Sequence, residues 1–344
     1  TVTIIDEPVA YAPPASLTKV CDEDGTNDGI VNFDLLTLNA SVLGIRSGGE
    51  FAVTYYESMA DALAGINAIT STQLITVYVK VGNELAENCF NVRAVNLTIH
   101  KLPEPTPTDG IICFDTETQT LLNPYTIHSG LSPVSHTFIW HDQNGNIVGH
   151  QASYTAVTPG LYTVTAINNA TGCASNPVDV IVTPSEPALV TYTISPDFAS
   201  SQSITVIATG TGDYEYMLDN GVWQDSNVFE NVSSGMHIVT VRDKNGCGQV
   251  SSSALVINYP HFFTPNGDGY NDTWNINDLA GHENAKINIF DRYGKYLKTI
   301  EPGKSGWDGT YNGRVMPSTD YWFVVNYEDQ GMPMEFKAHF SMKR

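Results

Sequence analysis

The sequence is poor in charged residues, and basic residues are the scarcest. Charged residues make up 15% of its 344 positions, and 16 Lys and Arg stand against 37 Asp and Glu, a formal net charge of -21. Nucleic acids and anionic membranes bind proteins through patches of Lys and Arg. The composition therefore argues against a nucleic-acid partner. It favours either solubility outside a cell or the binding of divalent cations, and both readings stay open.

Long apolar runs are absent too. No run of 18 or more apolar residues occurs, so the sequence predicts no helix that spans a bilayer. The opening stretch, TVTIIDEPVAYAPP, has neither the basic start nor the apolar stretch of a signal peptide. It is typical of a last strand followed by a proline-rich joint. We expect the chain to be the C-terminal piece of a longer protein.

Catalytic motifs are also missing. Neither GxSxG nor HExxH occurs, and the nine histidines show no metal-ligand spacing. The stretch EPGKSG resembles the end of a phosphate-binding loop, but Lys298 stands where the first glycine of that motif belongs. The sequence therefore predicts that this chain is not an enzyme.

The five cysteines form no CxxC pair, which argues against zinc and thioredoxin-like chemistry. Their positions near the ends of candidate domains favour long-range disulfides in an oxidising compartment. We expect the bonds Cys21–Cys89 and Cys113–Cys173, each worth about 4 kcal/mol of stability in the chain-entropy model. Cys247 is then left as a lone buried thiol.

Most of the chain shows the period-two alternation of β-strands. Ile75, Val77, Val79 and Val81 share one face of LITVYVKV, for example, and short Gly, Asn, Asp and Pro turns separate such runs. YEYMLDNGVW predicts a hairpin whose type I′ turn has positive φ at Asn220 and Gly221. SMADALAGI is the one helical candidate, with Met59, Leu63 and Ile66 at helical spacing. The sequence thus predicts an all-β fold.

Two acidic loops are the candidate ligand sets for calcium, the only cofactor that we consider. Calcium prefers six to eight oxygen ligands, often from carboxylates two residues apart on a tight glycine turn. CDEDGTNDG supplies Asp22, Asp24 and Asp28, and NGDGYND supplies Asn266, Asp268 and Asp272. Neither loop has the spacing of an EF-hand. The alternative for both is an ordinary Asp/Gly turn that leads into a strand.

Five blocks follow one another near the end of the sequence: FFTPNGDGYNDTWNI, INIFDRYGK, GWDGTYNGR, MPSTDYWFVV and FKAHFSMKR. Together they resemble the gliding-motility-associated C-terminal domain of Bacteroidetes surface proteins, which is the type B sorting signal of the type IX secretion system. The resemblance spans residues 258–344. Such domains usually have a glycine and an apolar residue where Ala338 and Lys343 stand here.

Upstream segments are similar to the Ig-like repeats of giant adhesins of the same bacteria, among them VCDEDGTNDGIVNFDL and YEYMLDNGVWQDSNVFENVSSGMHIVTVRDKNGC. With the proline-rich joints, this resemblance predicts tandem Ig-like β-sandwich domains in an elongated array that ends in a small β-sandwich sorting domain. The predicted segments are the end of a preceding unit with its linker (1–15), an Ig-like repeat (16–103), an Ig-like or PKD-like repeat (104–184), an Ig-like repeat (185–258) and the sorting domain (259–344).

The resemblance implies a cell-surface adhesin of gliding motility, located outside the cell and associated with the outer membrane. Its partners would be the type IX translocon, an outer-membrane barrel of the PorP/SprF type and, for the repeats, surface glycans. The alternative is the tail of a secreted polysaccharide-degrading enzyme whose catalytic domain lies upstream. The candidate residues for partner recognition are Trp274, Trp307, Trp322, Phe340 and Arg344. Core packing is the alternative for the three tryptophans, and a place in the module's own sheet is the alternative for Phe340.

Overall fold

The structure is a computed structural model that describes residues 7–45, 50–282, 284–329 and 331–344. It is 48% strand and 7% helix, which confirms the all-β class. The chain divides into two compact units, which are described here one after the other. The first holds residues 1–110 and 124–183, and the second holds residues 111–123 and 184–344.

The first unit begins with three short helices and seven strands. The helices are α1 (Ala15–Thr18), α2 (Asn39–Leu43), which follows a 3₁₀ turn at Leu35–Leu38, and α3 (Met59–Ala64). The strands are β1 (Lys19–Cys21), β2 (Phe33–Asp34), β3 (Phe51–Tyr56), β4 (Ser71–Thr72), β5 (Thr76–Asn83), β6 (Ala86–Asn96) and β7 (Thr98–His100). Strands β3, β5 and β6 form one sheet in that order, β1 pairs with β7, and β2 pairs with β4. The valines of β5 are buried in the core, as their alternation predicted. Ile75, predicted to share their face, precedes the first residue of β5 and is 67% exposed.

The predicted helix is present as α3, but the side that it buries is different. Ser58 caps it by accepting a hydrogen bond from the Asp61 N–H, and Gly65, at φ +70°, ends it. Met59, Leu63 and Ile66 are all exposed, whereas Ala62 is buried. A helix of only six residues is too short for an apolar stripe to decide its orientation, so the flanking strands do.

Residues 110–185 add eight strands. These are β8 (Gly110–Asp115), β9 (Thr120–Asn123), β10 (Tyr125–His128), β11 (His136–Asp142), β12 (Ile147–Gly149), β13 (Ser153–Ala156), β14 (Gly160–Asn168) and β15 (Val178–Ser185). In the first unit, β11 pairs with β12 and β14, β14 pairs with β15, and β10 pairs with β13. Trp140 is fully buried there, and its indole N–H donates to the Gln151 carbonyl at 2.9 Å. The hairpin β8–β9 belongs to the second unit.

The second unit continues with a sandwich of two three-stranded sheets. Its strands are β16 (Leu189–Ile194), β17 (Ser203–Thr209), β18 (Tyr214–Leu218), β19 (Val228–Glu230), β20 (Gly235–Asp243) and β21 (Gln249–Val256). The strand orders are β16-β17-β19 and β18-β20-β21. Alternate residues of β17 and β20, such as Val206 and Val239, form the core between them.

The C-terminal module, residues 259–344, contains one five-stranded sheet. Its elements are β22 (Phe262–Phe263), a 3₁₀ helix (Asn277–Gly281), β23 (Lys286–Phe290), β24 (Tyr296–Ile300), β25 (Thr310–Tyr311), β26 (Arg314–Val315), β27 (Asp320–Asp329) and β28 (Met332–Met342). The sheet order is β22-β28-β27-β23-β24. One face of this sheet packs on an aromatic core, and the other face is open to solvent.

Aromatic side chains join the C-terminal module to the preceding sandwich within the second unit. Phe198 is only 7% exposed, and its ring stacks on Phe336 with 4.3 Å between centroids. The Tyr327 hydroxyl donates to Asp197 at 2.7 Å. Phe198 has φ +62°, a conformation that a bulky residue rarely adopts, so tertiary packing holds it there.

Both predicted disulfide pairings are wrong. The structure bonds Cys21 to Cys173, with 5.6 Å between Cα atoms, and Cys113 to Cys247, with 5.2 Å. Cys89 is a free, half-buried thiol. The first bond joins β1 to the turn before β15, and the second joins β8 to the turn before β21. Each bond therefore links one predicted repeat to the next. The prediction assumed bonds inside one sandwich, and cysteine spacing cannot distinguish the two arrangements.

Candidate recognition face of the C-terminal module

The open face of the five-stranded sheet is the best candidate site of the C-terminal module. Strand β27 alternates strictly, with Tyr321, Phe323 and Val325 buried and Trp322 pointing to the other side. Because successive side chains of a strand lie on opposite faces, the aromatic core fixes Trp322 on the solvent side. Its side chain is 48% exposed.

Four rings stand directly opposite one another across four strands of this face, and we call them the aromatic row. The strand register pairs Tyr296 with Phe290, Phe290 with Trp322, and Trp322 with His339. Ring centroids are 6.0 Å apart for Phe290 and Tyr296, and 5.1 Å apart for Trp322 and His339. Directly opposite side chains are the closest neighbours on a sheet face, so the four rings lie in one row across the sheet.

Polar groups border the aromatic row. The Tyr296 hydroxyl lies 2.8 Å from the Thr299 hydroxyl, which in turn donates to the Asn288 side chain at 2.6 Å. On β28, Lys337 pairs with Glu335 at 2.8 Å, an exposed pair of small energetic weight. A flat aromatic strip with a polar border is suited to bind a protein segment or the flat face of a sugar ring.

For three of the candidate residues, the structure supports the alternative of packing inside the module. Trp274, Trp307 and Phe340 are all fully buried, so they cannot touch a partner of the folded module. Trp274 stacks on Phe340 with centroids 3.8 Å apart and planes 7° apart. Each indole N–H has a backbone acceptor, the Pro260 carbonyl for Trp274 and the Thr310 carbonyl for Trp307.

Arg344 is exposed but held in place. Its guanidinium donates to the Met316 carbonyl at 2.7 Å and to the carbonyls of Gly309 and Pro265 at 3.4 Å. The preceding Lys343 lies over the Phe262 ring, 4.7 Å from its centroid. The last two side chains are therefore anchored to the module. A role for Arg344 and Trp322 in partner recognition stays a prediction.

The loop NGDGYND is closed by its own hydrogen bonds. The Asp272 carboxylate accepts the N–H groups of Asn266, Gly267 and Gly269, at 2.9, 2.7 and 2.8 Å. The N–H groups of Gly267 and Gly269 chiefly lower the pKa of Asp272, against a small opposing effect of burial. The Asp268 carboxylate likewise accepts the Tyr270 N–H and the side-chain amide of Asn266, both at 2.8 Å. The geometry is that of a tight turn, and it does not support the predicted calcium site.

The other acidic loop is less regular. Asp22 is fully buried, whereas Asp24 and Asp28 are exposed. The Asp28 carboxylate accepts the N–H of Ile30, two residues further on. In the described part of the chain, no group of three or more His, Cys, Asp or Glu side chains gathers where it could hold a metal ion. The predicted set of three aspartates is therefore not assembled.

Sequence reasoning missed Tyr296, Phe290 and His339. Phe290 and Tyr296 face each other across the β23–β24 hairpin, but His339 is far from both in the chain, and only the strand register brings all three into line with Trp322. The one available signal was Trp322, but its neighbours Tyr321 and Phe323 are aromatic as well. The alternation alone therefore did not show which of the three points outward.

Two segments of the chain match known family models. Residues 17–103 match the Flavobacterium inter-domain disulphide bond domain, and residues 257–340 match the CHU_C type IX secretion signal domain. No curated protein matches the sequence. No helix in the described ranges is long and apolar enough to cross a membrane.

Solved structures that are similar contain Ig domains or a CD2-binding domain. The CD2-binding domain of CD58 is 12% identical, covers 43% of this chain and 97% of its own, and has a TM-score of 0.28. The four N-terminal Ig domains of Dscam1 are 10% identical over 98% of both chains, with a TM-score of 0.20. Scores this low carry no argument about function. The two family matches are those of a Bacteroidetes cell-surface protein that ends in a type IX sorting domain.

Proposed function

We propose that this chain belongs to a secreted adhesin of the bacterial surface, with the C-terminal module as its export and attachment signal. The match of residues 257–340 to a type IX secretion signal carries the export role. Adhesion, gliding motility and attachment at the outer membrane are the proposed part. We also propose that the chain has no catalytic activity of its own.

The aromatic row is the surface that we assign to recognition by the export machinery. Trp322 lies at its centre, and tryptophan is among the residues that contribute most to protein interfaces. Half-exposed aromatic rings on a rigid sheet lose little conformational entropy when a partner covers them. The proposed partners are the type IX translocon and then an outer-membrane barrel of the PorP/SprF type.

The test is export of the full chain, fused to a secreted fluorescent protein, in a bacterium with a working type IX system. We expect wild-type protein outside the cell and periplasmic retention when residues 258–344 are deleted. Trp322→Ala should reduce export several-fold because it removes the centre of the aromatic row. Tyr270→Ala is the matched control, because Tyr270 is 78% exposed in the loop and lies outside the row.

Equal export of both variants would contradict recognition through the row, and export of the deletion would contradict the sorting role. Thermal unfolding of purified Trp322→Ala should match that of the wild type, since exposed substitutions usually change stability by about 0.5 kcal/mol or less. Repeating the assay without the candidate barrel tests attachment. In that strain the protein should leave the cell and appear in the medium. A glycan array on the full chain tests the proposed glycan partners.

A further inference from the structure

Cys89 is a free thiol at a position where the other two predicted repeats carry a bonded cysteine. The last long hairpin of each repeat is β5–β6, β14–β15 or β20–β21. Each hairpin contains one cysteine shortly after its first strand ends, and these are Cys89, Cys173 and Cys247. Cys173 and Cys247 form disulfides, whereas Cys89 does not.

The three hairpins are built in the same way. The first strand of each ends at an Asn or Asp whose side chain accepts an N–H from the turn that follows, as these two residue types do in tight turns. The three pairs are Asn83 with Leu85 at 2.9 Å, Asn168 with Ala170 at 2.9 Å, and Asp243 with Cys247 at 3.1 Å. The cysteine follows that Asn or Asp by six, five and four residues, respectively. Cys89 is therefore the structural equivalent of the two bonded cysteines.

The partners of the bonded cysteines follow one rule. Cys173 bonds to Cys21 on β1, and Cys247 bonds to Cys113 on β8. In both cases the hairpin cysteine of one repeat is joined to the first strand of the repeat before it. The strand that opens the third repeat, β16, has no cysteine, and neither has the C-terminal module that follows. By the same rule, the partner of Cys89 belongs to a repeat that precedes the first one.

The joints that lead into the repeats show the same recurrence. Each joint contains a Glu-Pro pair, and the pairs are Glu7-Pro8, Glu104-Pro105 and Glu186-Pro187. The Glu104 carboxylate accepts the side-chain amide of Asn27 at 2.7 Å, and the Glu186 carboxylate accepts the Thr116 N–H at 2.8 Å. Both donors lie in the turn just after a bonded first-strand cysteine. A complete junction thus combines a disulfide with a hydrogen bond to the joint.

The first joint lies beside Cys89. The Ala10 N–H donates to the Asn91 side chain at 3.3 Å, and the Arg93 side chain donates to the Ala10 carbonyl at 2.7 Å. Asn91 and Arg93 follow Cys89 at alternate positions of β6, and alternate side chains of a strand share one face. The joint of residues 7–10 and the thiol therefore lie on the same side of this strand.

We propose that Cys89 and the joint of residues 7–10 are one half of a further junction, and that an additional Ig-like repeat upstream supplies the other half. That repeat would carry a cysteine on its first strand and, just after it, a polar turn that lies beside Glu7. Bond formation removes two protons and two electrons from the two thiols. A thiol-disulfide oxidase of the periplasm would accept them, as its own disulfide is reduced to two thiols.

The test compares the intact surface protein, isolated from the bacterium that makes it, with the chain of 344 residues expressed alone. Free thiols are blocked with N-ethylmaleimide before any reduction, and trypsin then releases Cys89 in the peptide of residues 81–93. We expect Cys89 to be blocked in the chain alone and at least tenfold less so in the intact protein. Mass spectrometry should find the peptide of the intact protein bonded to a cysteine peptide from further upstream in the same protein.

Cys247→Ser in the intact protein is the matched control, because it removes the equivalent cysteine of a junction that the structure contains. It should expose Cys113 to maleimide and leave Cys89 bonded, whereas Cys89→Ser should expose one upstream cysteine and leave Cys113 bonded. A Cys89 that reacts equally in both wild-type proteins overturns the proposal. So does a Cys89 bonded to a second Cys89, to a small thiol or to another protein. The linkage in the wild type decides the matter if a variant fails to accumulate.

Discussion

Phe198 gives the sharpest prediction of the structure, because it belongs to one segment and packs in the core of the next. Its ring stacks on Phe336, meets Tyr327 edge-on at 6.0 Å and lies 6.2 Å from Tyr259. Truncating a buried Phe to Ala usually costs 3–5 kcal/mol. We take about 3 kcal/mol for Phe198→Ala, since the ring lies at the edge of the core and alanine has the same strained φ.

The expected effect is on the C-terminal module, not only on the sandwich that contains the mutation. At about 2–4 °C per kcal/mol for a unit of this size, the melting temperature should fall by about 6–12 °C. Three of the five tryptophans lie in the module, and Trp274 and Trp307 are buried in its core, so tryptophan fluorescence on heating reports the module together with the buried Trp140 of the first unit. Calorimetry of the same samples shows whether one cooperative transition has separated into two.

Phe262→Ala is the matched control. Phe262 lies in the same module but is 45% exposed, and its one resolved ring contact is with Lys343. It should lose about 1 kcal/mol or less. Equal shifts for the two variants would refute the reasoning, because they would show that the ring of Phe198 does not couple the two segments. So would a Phe198→Ala protein whose tryptophan signal melts at the wild-type temperature.

Two further predictions concern a thiol and an imidazole. Without reduction, a maleimide should label Cys89 and no other cysteine. Mass spectrometry of tryptic peptides identifies the labelled residue. Labelling of Cys247 would contradict the observed bonds. Burial lowers the pKa of His237, but its hydrogen bonds to Asp219 and the Ser233 carbonyl raise it by more, so the net pKa lies above 6.5. The stability from this pair should therefore be complete below pH 6.5 and lost as the pH rises through the folded-state pKa. An NMR titration should show the raised pKa in the wild type and a lower one in Asp219→Asn.

Local pattern predicted the class of fold and several of its elements. The alternation of β5 placed Val77, Val79 and Val81 inside, and they are buried. The predicted helix is present as α3, Met59–Ala64, between the caps Ser58 and Gly65, although its apolar positions are exposed. These features depend on neighbours within a few residues, and for that reason the sequence contains enough information to predict them.

Features that depend on distant partners were not predictable in this way. Asn220 and Gly221 were expected to carry the positive φ of a hairpin turn, but Asp219 carries it, at +53°. The Asp219 carboxylate binds the Ile238 N–H and His237, so a contact with β20 overrides the local turn preference. The disulfide pairing and the aromatic row were not predicted for the same reason. Each depends on contacts between strands that lie far apart in the sequence.

The pattern of the two disulfides determines how the chain would carry a pulling force. Cys21 and Cys173 are 152 residues apart in sequence, a stretch that would extend to about 500 Å if it unravelled, and the bond holds their Cα atoms at 5.6 Å. The second bond bridges 134 residues, and the two bridged stretches overlap. No cysteine follows residue 247. The shortest covalent route from Cys21 to Cys247 therefore uses both bonds and the backbone between Cys113 and Cys173. Beyond Cys247, tension reaches the C-terminal module through a single stretch of backbone and the aromatic contacts around Phe198.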